Sequence, residues 1–272
     1  MKWTAALLAL VTAILMVHTS STAATFRRLC DLEDRKGMQC TIELSGEIRA
    51  GDAQRLRSIL TNDKSRIGSD RFLMLESPGG DIREALKIGE AVKSAMLTTT
   101  LVRLADMDAD ERNKRQCVSA CVLVFLAGAD RKAMWGQLGV HRPYFEPTTY
   151  RKQSPLQISR AQIELEDAVR GYARAHGASD HLIGKMMAHS SKDVYWLSKE
   201  EQIALEGEQS WYQEIMIATC RHDPSRETAI YKRWLDGADR LQSDRDWLSR
   251  TYACINDRIA QAQRSLLRDA SK

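Results

Sequence analysis

The chain has no internal repeat, no low-complexity linker and, after Val17, no apolar run long enough to cross a bilayer. Solenoid arrays, linker-joined domains and multi-span membrane proteins are thereby excluded. It also lacks a stripe of Arg and Lys interleaved with aromatics. Its 40 basic and 36 acidic residues are intermixed and leave a net charge of +4, so nucleic acid is not an expected partner. His176, His181, His189 and His222 sit on polar segments without metal-ligand spacing, and no C-x-x-C pair occurs. Neither a metal, nor an organic cofactor, nor a thioredoxin-type centre is expected.

What is present begins at the N-terminus. Lys2 precedes an apolar run over 5–17, followed by Ser20, Ser21, Thr22, Ala23 and Ala24. A basic start, a short apolar stretch and small residues near its end describe a signal peptide over residues 1–24, cut after Ala23 or Ala24 and taking His18 with it. The alternative, an uncleaved anchor, falls short of the roughly 20 residues that a span requires. The mature protein is expected to be periplasmic or secreted, with no membrane span after cleavage. All six cysteines lie beyond the cut, where oxidation is allowed. Closeness in sequence pairs Cys30 with Cys40, around a polar loop containing Gly37, and Cys220 with Cys254, around a charged helical region. For Cys117 and Cys121 two readings stay open: a pair of buried thiols, or a bridge stiffening the segment between them.

Periodicity organises the middle of the chain. Residues 41–48 alternate like a strand, and helical spacing follows over 52–60 with Asp52 as a candidate N-cap. A short apolar strand over 71–76 runs into Ser77-Pro78-Gly79-Gly80, and an amphipathic helix follows over 81–96. A β-branched strand over 98–104, a charged loop over 105–116, a buried apolar helix over 118–127 and a strand over 137–141 complete the pattern. Repeated strand–helix units imply an α/β fold with a largely parallel sheet. The second half reads as helices over 159–175 and 180–188, an extended segment over 193–198, and a capping box formed by Ser198 and Glu201. Beyond Gly207 the composition shifts: Trp211, Trp234 and Trp247 appear, Pro224 interrupts, and Leu248, Tyr252, Ile255, Ile259, Ala262 and Leu266 form one stripe of a long terminal helix. Such a stripe is expected to pack on its own domain; a seam between two chains is the alternative.

Three motifs in order carry chemistry: Ser77-Pro78-Gly79-Gly80, Cys117-Val118-Ser119-Ala120-Cys121 and Gly139-Val140-His141-Arg142-Pro143. A glycine turn between strand and helix lets the backbone approach a ligand and offer N–H groups to negative charge. A serine at the mouth of an apolar helix can attack a carbonyl, and a histidine on a later strand can take its proton. Each has a plainer alternative: a tight turn, an N-cap serine, a hydrogen-bonded core histidine.

With Leu44-Ser45-Gly46, Phe125-Leu126-Ala127-Gly128 and Trp196-Leu197-Ser198 added, the ordered motifs resemble the proteolytic subunit of Clp protease, in an exported branch of the ClpP/crotonase-like superfamily. The resemblance spans residues 41–207. It implies a β-β-α superhelix, with 25–40 as a Cys-bracketed N-terminal segment and 208–272 as an α-helical C-terminal extension. It implies Ser119 as nucleophile, His141 as general base, Gly80 and Ala120 as oxyanion hole, and Asp193 as the third triad member. Three features depart from the family pattern. A charged insertion over 105–116 replaces a short glycine turn, two cysteines flank the serine, and Asp193 lies one residue further from Leu197-Ser198. Asp180 and a backbone carbonyl are therefore alternative orienters of His141.

The expected function is an exported serine peptidase, hydrolysing peptides or unfolded proteins through an acyl-enzyme without an ATPase to feed it, and assembled as a homo-oligomer. A non-catalytic binding or assembly protein on the same fold is the alternative. A crotonase-like thioester enzyme ranks third, since coenzyme A thioesters are not expected outside the cytoplasm.

Overall fold

A computed structural model of the chain describes residues 23–31, 39–62, 70–101, 115–133, 136–145 and 147–270. The signal-peptide core, the loop containing Gly37 and most of the charged segment over 105–116 lie outside these residues. The architecture is mixed α/β, 56% helical and 20% strand.

The larger sheet is ordered β1-β2-β3-β4-β6-β9, from β1 (Thr25–Asp31), β2 (Gln39–Ser45), β3 (Asp70–Glu76), β4 (Thr98–Thr100), β6 (Asp130–Lys132) and β9 (Gly207–Glu208). Its centre, β2 to β6, is parallel, and both edge strands are antiparallel. Parallel strands need cover on both faces, and the sequence supplies it: Leu73, Met74 and Leu75 are consecutive and all buried. A second sheet, β5-β7-β8, joins β5 (Gln116–Val118), β7 (Gln137–Val140) and β8 (Tyr195–Trp196). The expectation of a mostly parallel sheet holds for the central strands and fails at the edges. β1, β5, β6 and β9 were not anticipated, because strands of two or three residues are too short for a period and β1 is largely polar.

The helices match more closely. α1 (Asp52–Asn62) begins at Asp52, whose carboxylate accepts from the Arg49 N–H at 2.7 Å and so reaches back outside the helix. α2 (Ile82–Ser94) is capped by Asp81, which accepts from the Glu84 N–H. α3 (Ala120–Leu126) is buried at every residue, two residues later in starting than expected because Gln116–Val118 is strand. α4 (Pro147–Lys152) leads to α5 (Pro155–Ala175), which opens one turn early through a Ser154/Gln157 capping box. α6 (Asp180–Ala188) and α7 (Lys199–Ile203) follow, the latter with the expected Ser198/Glu201 box.

The C-terminal helices are α8 (Ser210–Cys220), α9 (Pro224–Leu235) and α10 (Gln242–Ala270). Pro224 starts α9, where its missing N–H costs nothing. The α10 stripe packs against α1, α2 and α8, burying Leu248, Ile255, Ile259 and Leu266. Each such side chain contributes roughly 1.5–3 kcal/mol. Leu266 joins the main core, and the Gln263 Nε2 donates to the Asp70 carbonyl at 2.6 Å. The stripe is thus an intramolecular face, and Tyr252 at its margin is partly exposed.

Three cysteine pairs are at disulfide distance: Cys30–Cys40 across β1 and β2, Cys220–Cys254 between α8 and α10, and Cys117–Cys121 from β5 to the first turn of α3. The third resolves the two open readings in favour of a bridge. Among the described residues no helix is long and apolar enough to cross a membrane.

Candidate active site

The site forms where β3 ends. The Ser77 N–H donates to the Gln116 carbonyl and the Ser77 carbonyl accepts from Val118, each at 2.9 Å, bringing the turn alongside β5. The Ser77 Oγ accepts from the Gly79 N–H at 3.1 Å and shapes the bend. Gly79 and Gly80 have φ of +98° and +134°, a region that favours glycine. Space demands glycine too. A Cβ on Gly79 would lie 2.8 Å from the Ser119 Cβ and 3.0 Å from the Ala120 nitrogen, and one on Gly80 would lie 2.2 Å from the Ile48 carbonyl oxygen. The Gly79 carbonyl accepts from Ile48 at 2.7 Å and the Ile48 carbonyl accepts from Asp81 at 2.9 Å. Both bonds of this bridge bypass the Gly80 N–H, which has no acceptor among the described residues.

Glu84, in the first turn of α2, holds that turn against α1 by accepting from Gly51 at 3.0 Å and Ala53 at 2.9 Å. Burial opposes its ionisation, but the Ala53 N–H, Lys87 and the Gly51 N–H outweigh burial and keep its carboxyl below the ordinary value.

Ser119 occupies the junction of β5 and α3 with φ 57° and ψ −121°. For a residue with a Cβ this backbone state costs on the order of 1–3 kcal/mol and persists only where its surroundings enforce it. Its N–H donates to the Gly139 carbonyl at 2.8 Å, Gly79 presses on it from the other side, and the Cys117–Cys121 bond spans it. The hydroxyl makes no cap bond to its helix, so the plain N-cap explanation does not describe it. A serine on a sharp, strained strand-to-helix turn is the arrangement of a nucleophile elbow. The Ala120 N–H, first of α3, has no acceptor among the described residues, and its nitrogen lies close to Gly79.

His141, buried to 8% exposure, follows β7. Its Nδ1 stands 2.9 Å from the Arg142 carbonyl oxygen. A carbonyl only accepts, so Nδ1 carries the proton and Nε2 is left as the basic nitrogen. The Arg142 N–H donates to the His189 carbonyl at 2.8 Å, and the Tyr144 ring lies 5.7 Å from the imidazole.

Ser119, His141, Gly79 and Gly80 line one cleft of about 780 Å³. Its lining includes polar residues, Glu47, Arg49, Asp81 and Arg83, and largely apolar ones, Tyr144, Phe145, Ala161 and Leu165. Three expected residues, Ser119, His141 and Gly80, therefore line one cleft, and Ala120 follows Ser119 directly in sequence without lining it. Asp193 does not join them: its Oδ2 lies 3.1 Å from the His189 Nδ1, with its side chain 76% exposed. Asp180 is engaged by Arg174 at 2.8 Å. The orienting group found on His141 is the Arg142 carbonyl, a backbone atom that no side-chain pattern announces. Among the described residues no group of three or more His, Cys, Asp or Glu could hold a metal ion. No protein-family model matches the chain, and no curated protein matches it.

Proposed function

We propose that the protein is a serine hydrolase acting on peptides or unfolded chains, with Ser119 and His141 as a dyad on a ClpP/crotonase-like fold. One observation carries this reading: a strained, uncapped serine shares a cleft with a histidine whose free nitrogen is the basic one. Ser119 Oγ attacks the substrate carbonyl while His141 Nε2 takes its proton, and the Arg142 carbonyl holds the imidazolium. The tetrahedral oxyanion is received by the N–H groups of Gly80 and Ala120. His141 then protonates the leaving amine, and water, deprotonated by the same nitrogen, releases the acyl group from Ser119. A fluorophosphonate probe should label the mature protein at Ser119, and an inert protein would remove the reading.

The alternative, a binding or assembly protein, draws on a single fact: His141 has no carboxylate partner among the described residues, since Asp193 engages His189. Turnover and a Ser119 adduct separate the two readings, since a binding protein gives neither; within the hydrolase reading, Asp193 separates a dyad from a triad. In a dyad, Asp193→Ala leaves kcat/KM and the labelling rate within about threefold of wild type, whereas loss of a true triad carboxylate function lowers kcat about 10⁴-fold. A loss of that size would return Asp193 to the triad.

An exported location is part of the same proposal and is supported by three disulfides and the N-terminal pattern. So is homo-oligomerisation through α5, supported by Leu156 and Ile163, which are 62% and 59% exposed. Light scattering at micromolar concentration should give a mass above that of one chain; a monomeric mass would count against assembly.

A further inference from the structure

We infer that the Cys117–Cys121 disulfide is a positioning device for the nucleophile, so that hydrolysis by Ser119 requires the oxidised chain. The inference rests on Ser119 being the nucleophile. Both cysteines are fully buried and belong to the main core, whereas Cys30, Cys220 and Cys254 are partly exposed. The bond closes over Val118, Ser119 and Ala120: Cys117 is the middle residue of β5, Cys121 lies in the first turn of α3, and Ser119 is the one residue between strand and helix. A cross-link over so short a separation adds little by restricting the unfolded chain compared with the 34-residue separation of Cys220 and Cys254. Its effect is local, on how the chain turns at Ser119.

That turn needs holding. Glycines two residues before and after the serine commonly make room at a nucleophile elbow; here those two positions are Cys117 and Cys121, and the room comes from Gly79 on another segment. The Ser119 N–H bond to Gly139 restrains one side of the peptide, and the disulfide restrains the dihedrals on both sides. Without it, Ser119 can relax toward ordinary helical or extended backbone. Relaxation swings Oγ away from His141 and turns the Ala120 N–H out of the oxyanion position. The active backbone must then be re-formed before each turnover, a penalty of about tenfold to hundredfold in rate. The substrate-binding walls, built from other segments, are unchanged, so the loss falls on kcat and spares KM.

The test is Cys117→Ser/Cys121→Ser in the full mature chain, compared with wild type for fluorophosphonate labelling rate, kcat and KM on an unstructured peptide. Peptide mapping should show the other two bonds intact, and circular dichroism a native spectrum. Labelling and kcat slower by at least tenfold with KM within threefold supports the inference; rates within twofold of wild type overturn it. Where the variant does not fold, wild type is treated with dithiothreitol, which is oxidised to its cyclic disulfide as each opened bond gains two hydrogens. Samples alkylated at intervals are mapped for each pair. Labelling should survive opening of the partly exposed bonds, fall as Cys117–Cys121 opens, and return on reoxidation. Labelling that persists after that bond has opened overturns the inference while leaving Ser119 as nucleophile. Absence of labelling in fully oxidised wild type overturns both.

Discussion

Ser119→Ala is expected to abolish fluorophosphonate labelling and to lower peptide hydrolysis by on the order of 10⁴–10⁶-fold. His141→Ala should do nearly the same, because nucleophile and base act as one unit and either loss leaves only binding and the oxyanion hole. The stability change is equally diagnostic. A serine that caps its helix costs about 0.5–2 kcal/mol when replaced by alanine, but the Ser119 hydroxyl makes no such bond. Ser119→Ala should therefore unfold within about 0.5 kcal/mol of wild type. Ser119→Gly should be neutral or stabilising, since relief at φ 57° offsets the extra freedom of glycine in the unfolded chain. Such a gain with loss of function marks a residue held in place for chemistry rather than stability. Hydrolysis that survives Ser119→Ala in protein free of contaminating peptidase would sink the serine mechanism.

Gly80→Ala is expected to cause a large loss of stability. The new Cβ would stand 2.2 Å from the Ile48 carbonyl oxygen, a backbone atom, at a φ of +134°. Backbone strain of about 1–3 kcal/mol and overpacking of about 1–3 kcal/mol combine to roughly 3 kcal/mol or more. Because the Ile48 bridge must separate to admit the methyl group, the Gly80 N–H moves and labelling at Ser119 should fall with stability. Gly51→Ala is the control. Gly51 has φ +96° with nothing within 4 Å of the added Cβ, so it carries strain without overlap. Urea unfolding midpoints of the two variants measure the difference, and equal losses would show that the Ile48 approach is not what requires glycine.

Much of the helical framework was legible in the sequence because helices announce themselves locally. The Ser198/Glu201 box, the span Asp180–Ala188 and the stripe through Leu248, Ile255, Ile259 and Leu266 each depend on residues three or four apart. The glycine turn and the ordered motifs carrying Ser119 and His141 were legible as well, from residue types and their order along the chain. The strands β1, β5, β6 and β9 were not legible. β5 and β6 have three residues each and β9 has two, and β1 exists through its antiparallel ladder with β2, a partner that no local pattern names. Distant contacts likewise docked the helices after Gly207: β9 extends the large sheet, and Gln263 reaches Asp70.

At the site the division follows the same physics. Residue types and their order determined on their own which side chains are able to attack a carbonyl, take a proton and line a turn. Closeness in sequence also paired Cys30 with Cys40 and Cys220 with Cys254. Only the tertiary structure decided that Cys117 bonds Cys121, that Ser119 is strained and uncapped, and that Asp193 points to His189. It also decided that a backbone carbonyl, at Arg142, sets the tautomer of His141. Every residue has a carbonyl and an N–H, so sequence cannot distinguish the one that orients a base or awaits an oxyanion. That distinction arises only when the chain closes and leaves those groups, rather than others, beside Ser119 and His141.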